Sequence, residues 1–171
     1  MMGWAFRDLE PGDAGWVASR HGALYWSDEG YDIRFEALVL RLLADFIETR
    51  GPQERAWIAV RAQARLGCIF CTRPAPDIAK LRMFLVEPEA RGTGLAQALL
   101  DHCMAHARET GADRLVLWTH ESHRAAGRLY ARNGFRLVDQ KPVVAWGQPT
   151  VEQNWEIGLR GEVGASAESR T

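Results

Sequence analysis

No stretch of this sequence comes near the roughly 18 consecutive apolar residues that a membrane-spanning helix needs. The opening Met1-Met2-Gly3-Trp4-Ala5-Phe6-Arg7 also lacks the basic-then-apolar layout of a secretory leader. The expectation is a cytoplasmic protein with no membrane partner. Positive charge is not in excess either: 21 Lys and Arg stand against 22 Asp and Glu, a formal net charge of -1. Acids and bases are interspersed, so no long-range positive field gathers a polyanion, and nucleic acid is not an expected partner. Cysteine is scarce, with Cys68, Cys71 and Cys103 alone. The first two form a CxxC, but there is no second CxxC and no HxxxH to complete a metal tetrahedron. Both lie within an apolar run that reads as a strand, where residues three apart face opposite sides. Structural core cysteines are therefore the favoured reading, and no metal is expected.

What is present is the balance of a folded protein: 47% hydrophobic and 25% charged residues in 171. That length fits a single domain over 1–160, with the small, polar stretch 161–171 as a disordered tail. Alternation in Trp4–Leu9 predicts a first strand, and Pro11-Gly12-Asp13 leads into a helix to about Leu24. Ser27-Asp28-Glu29-Gly30 reads as a polar turn. From about Asp32, the residues Phe35, Leu38, Val39, Leu42, Leu43 and Phe46 recur at helical spacing, and Gly51-Pro52 ends that helix.

Two short strands follow at 56–60 and 66–71, and Pro74-Ala75-Pro76-Asp77 breaks the chain. A third run, 79–86, becomes continuously apolar as a central strand does. A helix is predicted over 94–109, a strand over 114–118, a helix over 123–132 closed by Asn133-Gly134, and strands at 135–138 and 152–159. Strands alternating with helices around one hairpin predict an α/β fold whose sheet is mixed and covered on both faces.

The most informative stretch is Leu85-Val86-Glu87-Pro88-Glu89-Ala90-Arg91-Gly92-Thr93-Gly94-Leu95-Ala96. A buried strand runs into a turn with two glycines and then a helix start. Glycines let backbone N–H groups approach a ligand, and the helix N-terminus adds unpaired donors and a positive dipole end, so the turn suits a diphosphate. Taken alone, such a turn also serves simply to pack. No GxxxxGK[ST] is present, and the GxG lacks the third glycine of a dinucleotide fingerprint.

Arg91, Gly94 and Ala96 in an RxxGxA pattern after Leu85-Val86-Glu87-Pro88 resemble the acetyl-CoA signature of the GNAT acetyltransferases. A second segment, Ala125-Ala126-Gly127-Arg128-Leu129-Tyr130-Ala131-Arg132-Asn133-Gly134-Phe135, is similar to that family's A-x-x-L-Y-x-x-x-G-F helix. In order of elements the likeness covers roughly Trp4 to Leu159, and it is motif-specific from about Lys80 to Val138. The runs Arg20–Tyr25 and Arg34–Val39 look like those of acetyltransferase domains fused behind MarR-type DNA-binding domains.

The resemblance implies a mostly antiparallel central sheet with helices on both faces, and an N-acetyltransferase that moves acetyl from acetyl-CoA to a primary amine of a small molecule or peptide by direct attack. It implies cofactor contacts at Leu85, Val86, Arg91, Gly92, Thr93, Gly94, Leu95, Ala96, His123, Ala126 and Tyr130. The thioester would lie beside Leu85 and Val86, and the phosphates on 91–96. Tyr130 is implied as the general acid for the departing thiolate, since an ordinary tyrosine holds its proton to about pH 10. Many members carry asparagine where His123 stands.

The base that deprotonates the amine is open among Glu87, His120, His123, Glu36 and a relayed water. Trp16, Tyr25, Trp26, Tyr31, Trp118 and Trp146 are candidates for the acceptor wall, and Asp28, Glu29, Asp32 and Glu36 for drawing in a cationic amine. The alternative is a non-catalytic acyl-CoA-binding regulatory module, and a third reading is a different acyl donor. A homodimer is a habit of the family.

Overall fold

The computed structural model describes residues 3–161, so the predicted tail lies almost wholly outside the described residues. Seven strands form one sheet: β1 (Ala5–Arg7), β2 (Arg55–Arg61), β3 (Ala64–Ala75), β4 (Ile78–Val86), β5 (Arg114–His120), β6 (Arg136–Ala145) and β7 (Gln148–Gly158), in the order β1-β2-β3-β4-β5-β7-β6. Every neighbouring pair is antiparallel except β4 with β5. Helices α1 (Asp13–Glu29) and α2 (Ile33–Thr49) cover one face, and α3 (Leu95–Glu109) and α4 (Arg124–Arg132) the other. This is the mixed, mostly antiparallel α/β sheet that the resemblance implies.

Each face has its own core. Phe35, Val39, Leu43 and Phe46 of α2 pack on Ile58, Cys68 and Phe70, whereas Leu95, Leu99, Leu100 and Cys103 of α3 pack on Trp57, Ile69 and Cys71. Cys68 and Cys71 thus lie on opposite faces, both buried. Gly67 is where β3 and β4 approach most closely, since a Cβ there would meet the Leu85 carbonyl at 2.7 Å and Leu99 at 3.2 Å. The backbone oxygen cannot step aside. Gly67→Ala is expected to cost about 2 kcal/mol of stability, read as a lower denaturation midpoint at unchanged slope.

Several boundaries differ from the sequence reading. α1 runs on through Ser27 and Glu29 until Gly30, whose left-handed φ of 74° lets its N–H reach the Trp26 carbonyl; nothing earlier in that run stops a helix. β3 extends through Pro74, leaving only Pro76-Asp77 as the turn to β4. β6 and β7 are longer than expected and form a hairpin closed by Trp146-Gly147, both at positive φ (48° and 83°). β6 is an edge strand, so Pro142 loses no ladder bond on its open side, and the segment's polar character gave no strand signal.

β4 carries the irregularity that shapes the site. Its register with β3 slips between Cys68↔Leu85 and Phe70↔Arg82, and Met83 in that gap has φ 48°. Before this bulge Ala79 and Leu81 face α3; after it Met83 and Leu85 face α1 and α2. The bulge exchanges the faces of the strand, as one extra residue in a two-residue period must. β4 also pairs with β5 only over 78–81 and 114–117, whereas β5 stays on β7 to His120. Over Arg82–Val86, β4 has β3 on one side and no strand on the other.

Candidate active site

Two cavities meet at this gap between β4 and β5. One, of about 150 Å³, lies on the α1/α2 side and is lined by Tyr31, Phe35, Arg82, Trp118, His120 and Tyr130, among others. The second, of about 490 Å³, runs along Phe84, Leu85 and Val86 to Arg91, Ala96 and Ala126. Tyr25, Phe84, His123 and Ala126 line both, so the two cavities adjoin.

The glycine turn closes the larger end. Gly92 and Gly94 have φ of 73° and 89°, and a Cβ at either would meet nothing within 4 Å. Thr93 Oγ1 donates to the Ala90 carbonyl at 2.6 Å, fixing the turn. Among the described residues, no acceptor is bonded to the amides of Gly92, Gly94, Leu95 or Ala96. Open space in front of unpaired donors at a helix N-terminus is the arrangement that a diphosphate needs. The Leu95 side chain is fully buried against α3's core partners, so its amide is the group available to a ligand. Arg91 is exposed and sits 3.4 Å from Asp28 across the cavity mouth.

Tyr130 stands at the junction, 4% exposed, with its ring against Phe84, Phe135 and Trp155. Burial raises its hydroxyl pKa far above the ordinary tyrosine value, so it stays a proton donor at any physiological pH. On the opposite wall Tyr31 Oη and His120 Nδ1 are 2.8 Å apart. Burial pushes the Tyr31 hydroxyl up to about 12.

His120 is the last residue of β5 and 2% exposed, not a solvated loop residue as its place between two elements suggested. Its Nε2 is buried without a partner. Burial, with repulsion from His123, pushes its pKa down to about 4. His123 caps α4 and lies with Nδ1 3.2 Å from Thr119 Oγ1; burial pushes it too down to about 4.

Glu87, one of the candidate bases, is engaged in an ion pair. It is 6% exposed, and both of its oxygens are taken by Arg20 of α1, at 2.6 and 2.9 Å. The bidentate guanidinium occupies one lone-pair direction on each carboxylate oxygen and ties α1 to the strand end. Among the proposed wall aromatics, Tyr25, Tyr31 and Trp118 line the cavity, and Trp146 packs behind them, 5.0 Å from Tyr31 and 5.9 Å from Trp118. Trp26 is 72% exposed, and Trp16, on α1, packs against the core of the α1/α2 face, so neither lines the cavity.

The Acetyltransferase (GNAT) profile matches residues 16–135. The chain belongs to the acetyltransferase (GNAT) family. Its relatives include the mycothiol acetyltransferase of Thermobispora bispora, 33% identical over 144 residues, which are 78% of this chain and 46% of that protein. The chain therefore spans about half the length of that curated relative. Two solved structures share the GNAT fold: a Salmonella typhimurium acetyltransferase described with its cofactor acetyl-CoA (16% identity, TM-score 0.73, 96% of this chain and 98% of that one), and the Vibrio cholerae spermidine N-acetyltransferase in complex with CoA and spermine (19%, 0.66, 91% and 95%). None of the relatives named here is described as joined to a MarR-type regulator.

In this GNAT chain the smaller cavity is also lined by His21, Phe84, Lys80 and Arg82, and Arg20 holds Glu87. The sequence singled out neither those lining residues nor Arg20 for a role. His21 has no motif, and Lys80 and Arg82 read as the wet side of an alternating strand. Three buried histidines have consequences for folding. His21, His120 and His123 each carry a folded pKa near 4, below the ordinary 6.5, because burial disfavours the charged ring. As pH falls below 6.5 the unfolded chain takes up protons that the folded chain refuses, so the stability held above pH 6.5 drains away toward pH 4. Denaturant titrations should find the chain less stable at pH 5 than at pH 7 by about 2 kcal/mol per histidine. Equal stability at the two pH values would contradict the neutral assignment.

Proposed function

We propose that this chain is an N-acetyltransferase that moves an acetyl group from acetyl-CoA to a primary amine of a small molecule or peptide by direct attack. The observation that carries the reading is the pair of adjoining cavities at the parted strands, with free turn amides at the mouth of the larger and a buried, protonated tyrosine lining the smaller. The amides of 92–96 would take the diphosphate, with Arg91 at the rim. The unpaired edge of β4 at Arg82–Val86 offers backbone groups to an extended arm, and Phe84, Ala126 and His123 form its walls.

Bound acetyl-CoA supplies an activated acyl carbon. The chain's own residues do the rest: backbone donors of β4 polarise the carbonyl, Tyr130 gives a proton to the departing sulfur, and the cavity walls exclude water. His120 is neutral at pH 7 and lines the smaller cavity, with its buried Nε2 unpartnered, so it, or a water that it holds, is the relay for the amine's proton. Because His120 is already neutral well below pH 7, kcat/KM should climb with the amine's own deprotonation and show no histidine limb near pH 6.5.

The test is calorimetric titration with acetyl-CoA and CoA, followed by thiol release across amines. Binding with turnover supports the reading. Binding with no amine acetylated would favour the non-catalytic module, and no binding would overturn both.

A further inference from the structure

Lys80 and Arg82 lie two apart on β4, before the bulge, and both line the smaller cavity. Residues two apart on a strand share a face, so both cations project to the α1/α2 side at the level where β4 leaves β5. Both are half-buried, and burial, together with their mutual repulsion at Lys80, lowers their pKa values. Among the described residues neither forms an ion pair or a side-chain hydrogen bond. Glu152, opposite His120 in the β5–β7 register, is the carboxylate felt by Lys80, but its ion pair is with Lys141 at 3.7 Å. Three other partly buried cations are paired: Arg20 with Glu87, and Arg7 and Arg65 with Asp13. Two unpaired, partly desolvated cations in one cavity wall carry a standing cost that an anion would relieve.

The remaining walls are apolar, with Leu38 and Leu42 of α2 beside Phe35 and Trp118. Tyr31, His120 and Tyr130 also line this cavity. We infer that the acceptor is an anionic amine, a small molecule bearing a carboxylate or phosphate on an otherwise apolar body, with its anion on Lys80 and Arg82 and its amine at the His120–Tyr130 end. This rests on the acetyltransferase reading. The amine nitrogen bonds to the acetyl carbon as the carbon–sulfur bond breaks; the sulfur takes the Tyr130 proton, and the nitrogen's proton leaves through His120 or water. A polyamine is excluded, because its further ammonium groups would be brought against Lys80 and Arg82.

Thiol-release kinetics with matched acceptors test this: phenylalanine against 2-phenylethylamine, 5-aminopentanoate against pentylamine, and phosphoethanolamine against ethanolamine. The expected result is a kcat/KM at least about 30-fold higher for the anion-bearing member of at least one pair, with that ratio falling about 30-fold in Arg82→Gln. Whether carboxylate or phosphate pairs show the preference identifies the anion. Equal or better use of anion-free amines or of spermine, or an Arg82→Gln protein that keeps the wild-type ratio, would overturn the inference while leaving acetyl transfer intact.

Titration with 3-phenylpropanoate needs neither turnover nor cofactor. Saturable binding that weakens in Arg82→Gln and Lys80→Gln supports the anion site, and no binding to wild type overturns it. Acetyl-CoA titration of the same samples reports separately on the catalytic reading.

Discussion

Tyr130→Phe should lower kcat about 100- to 1000-fold and leave the acetyl-CoA dissociation constant within about threefold. The change removes one buried oxygen from a ring held by Phe84, Phe135 and Trp155, so packing survives. What is lost is the proton for the departing thiolate, a service given only as the carbon–sulfur bond breaks. Because burial holds this hydroxyl far above its ordinary pKa, the wild-type rate should show no alkaline fall from its ionisation up to pH 10. Rapid-mixing thiol release would separate the chemical step from product release. A Tyr130→Phe protein with near-normal kcat would strip this residue of its acid role and leave it as a wall of the cavity.

Gly94→Glu is expected to weaken acetyl-CoA binding about 10- to 30-fold with little change in thermal midpoint. Gly94 caps α3 at φ 89°, a left-handed conformation that costs a side-chain-bearing residue about 1 kcal/mol. The new carboxylate would also stand among the free amides of 92–96, where an incoming diphosphate meets like charge, worth about 1–2 kcal/mol more. The same carboxylate is favourable to an empty helix N-terminus, which offsets the backbone strain and spares the fold. Binding and stability should therefore part company. If affinity were unchanged, the turn would not be the phosphate site.

Much of this was legible from residues close in sequence. The turn 91–96 and the helix around Tyr130 carry their chemistry in local spacing, because glycine dihedrals and a helix N-terminus are set by neighbouring residues. The opposed faces of Cys68 and Cys71 followed from the two-residue period of a strand. The cores of α2 and α3 followed from helical spacing in the same way.

Other features depended on residues far apart. Glu87 reads as a free carboxylate beside a cofactor loop until α1 brings Arg20 across 67 positions to occupy it. His120 reads as a loop residue until β7 holds β5 in register to its last residue. Lys80 and Arg82 read as solvated until the Met83 bulge and the parting of β4 from β5 leave them in a cavity wall without counter-ions. The sequence by itself determined the fold family, the glycine turn before α3 and the place of Tyr130 on α4, since local backbone geometry encodes them. Only the tertiary structure decided which charges are paired, which histidines are neutral and what the acceptor cavity can hold, because burial and pairing are properties of the neighbours that folding brings together.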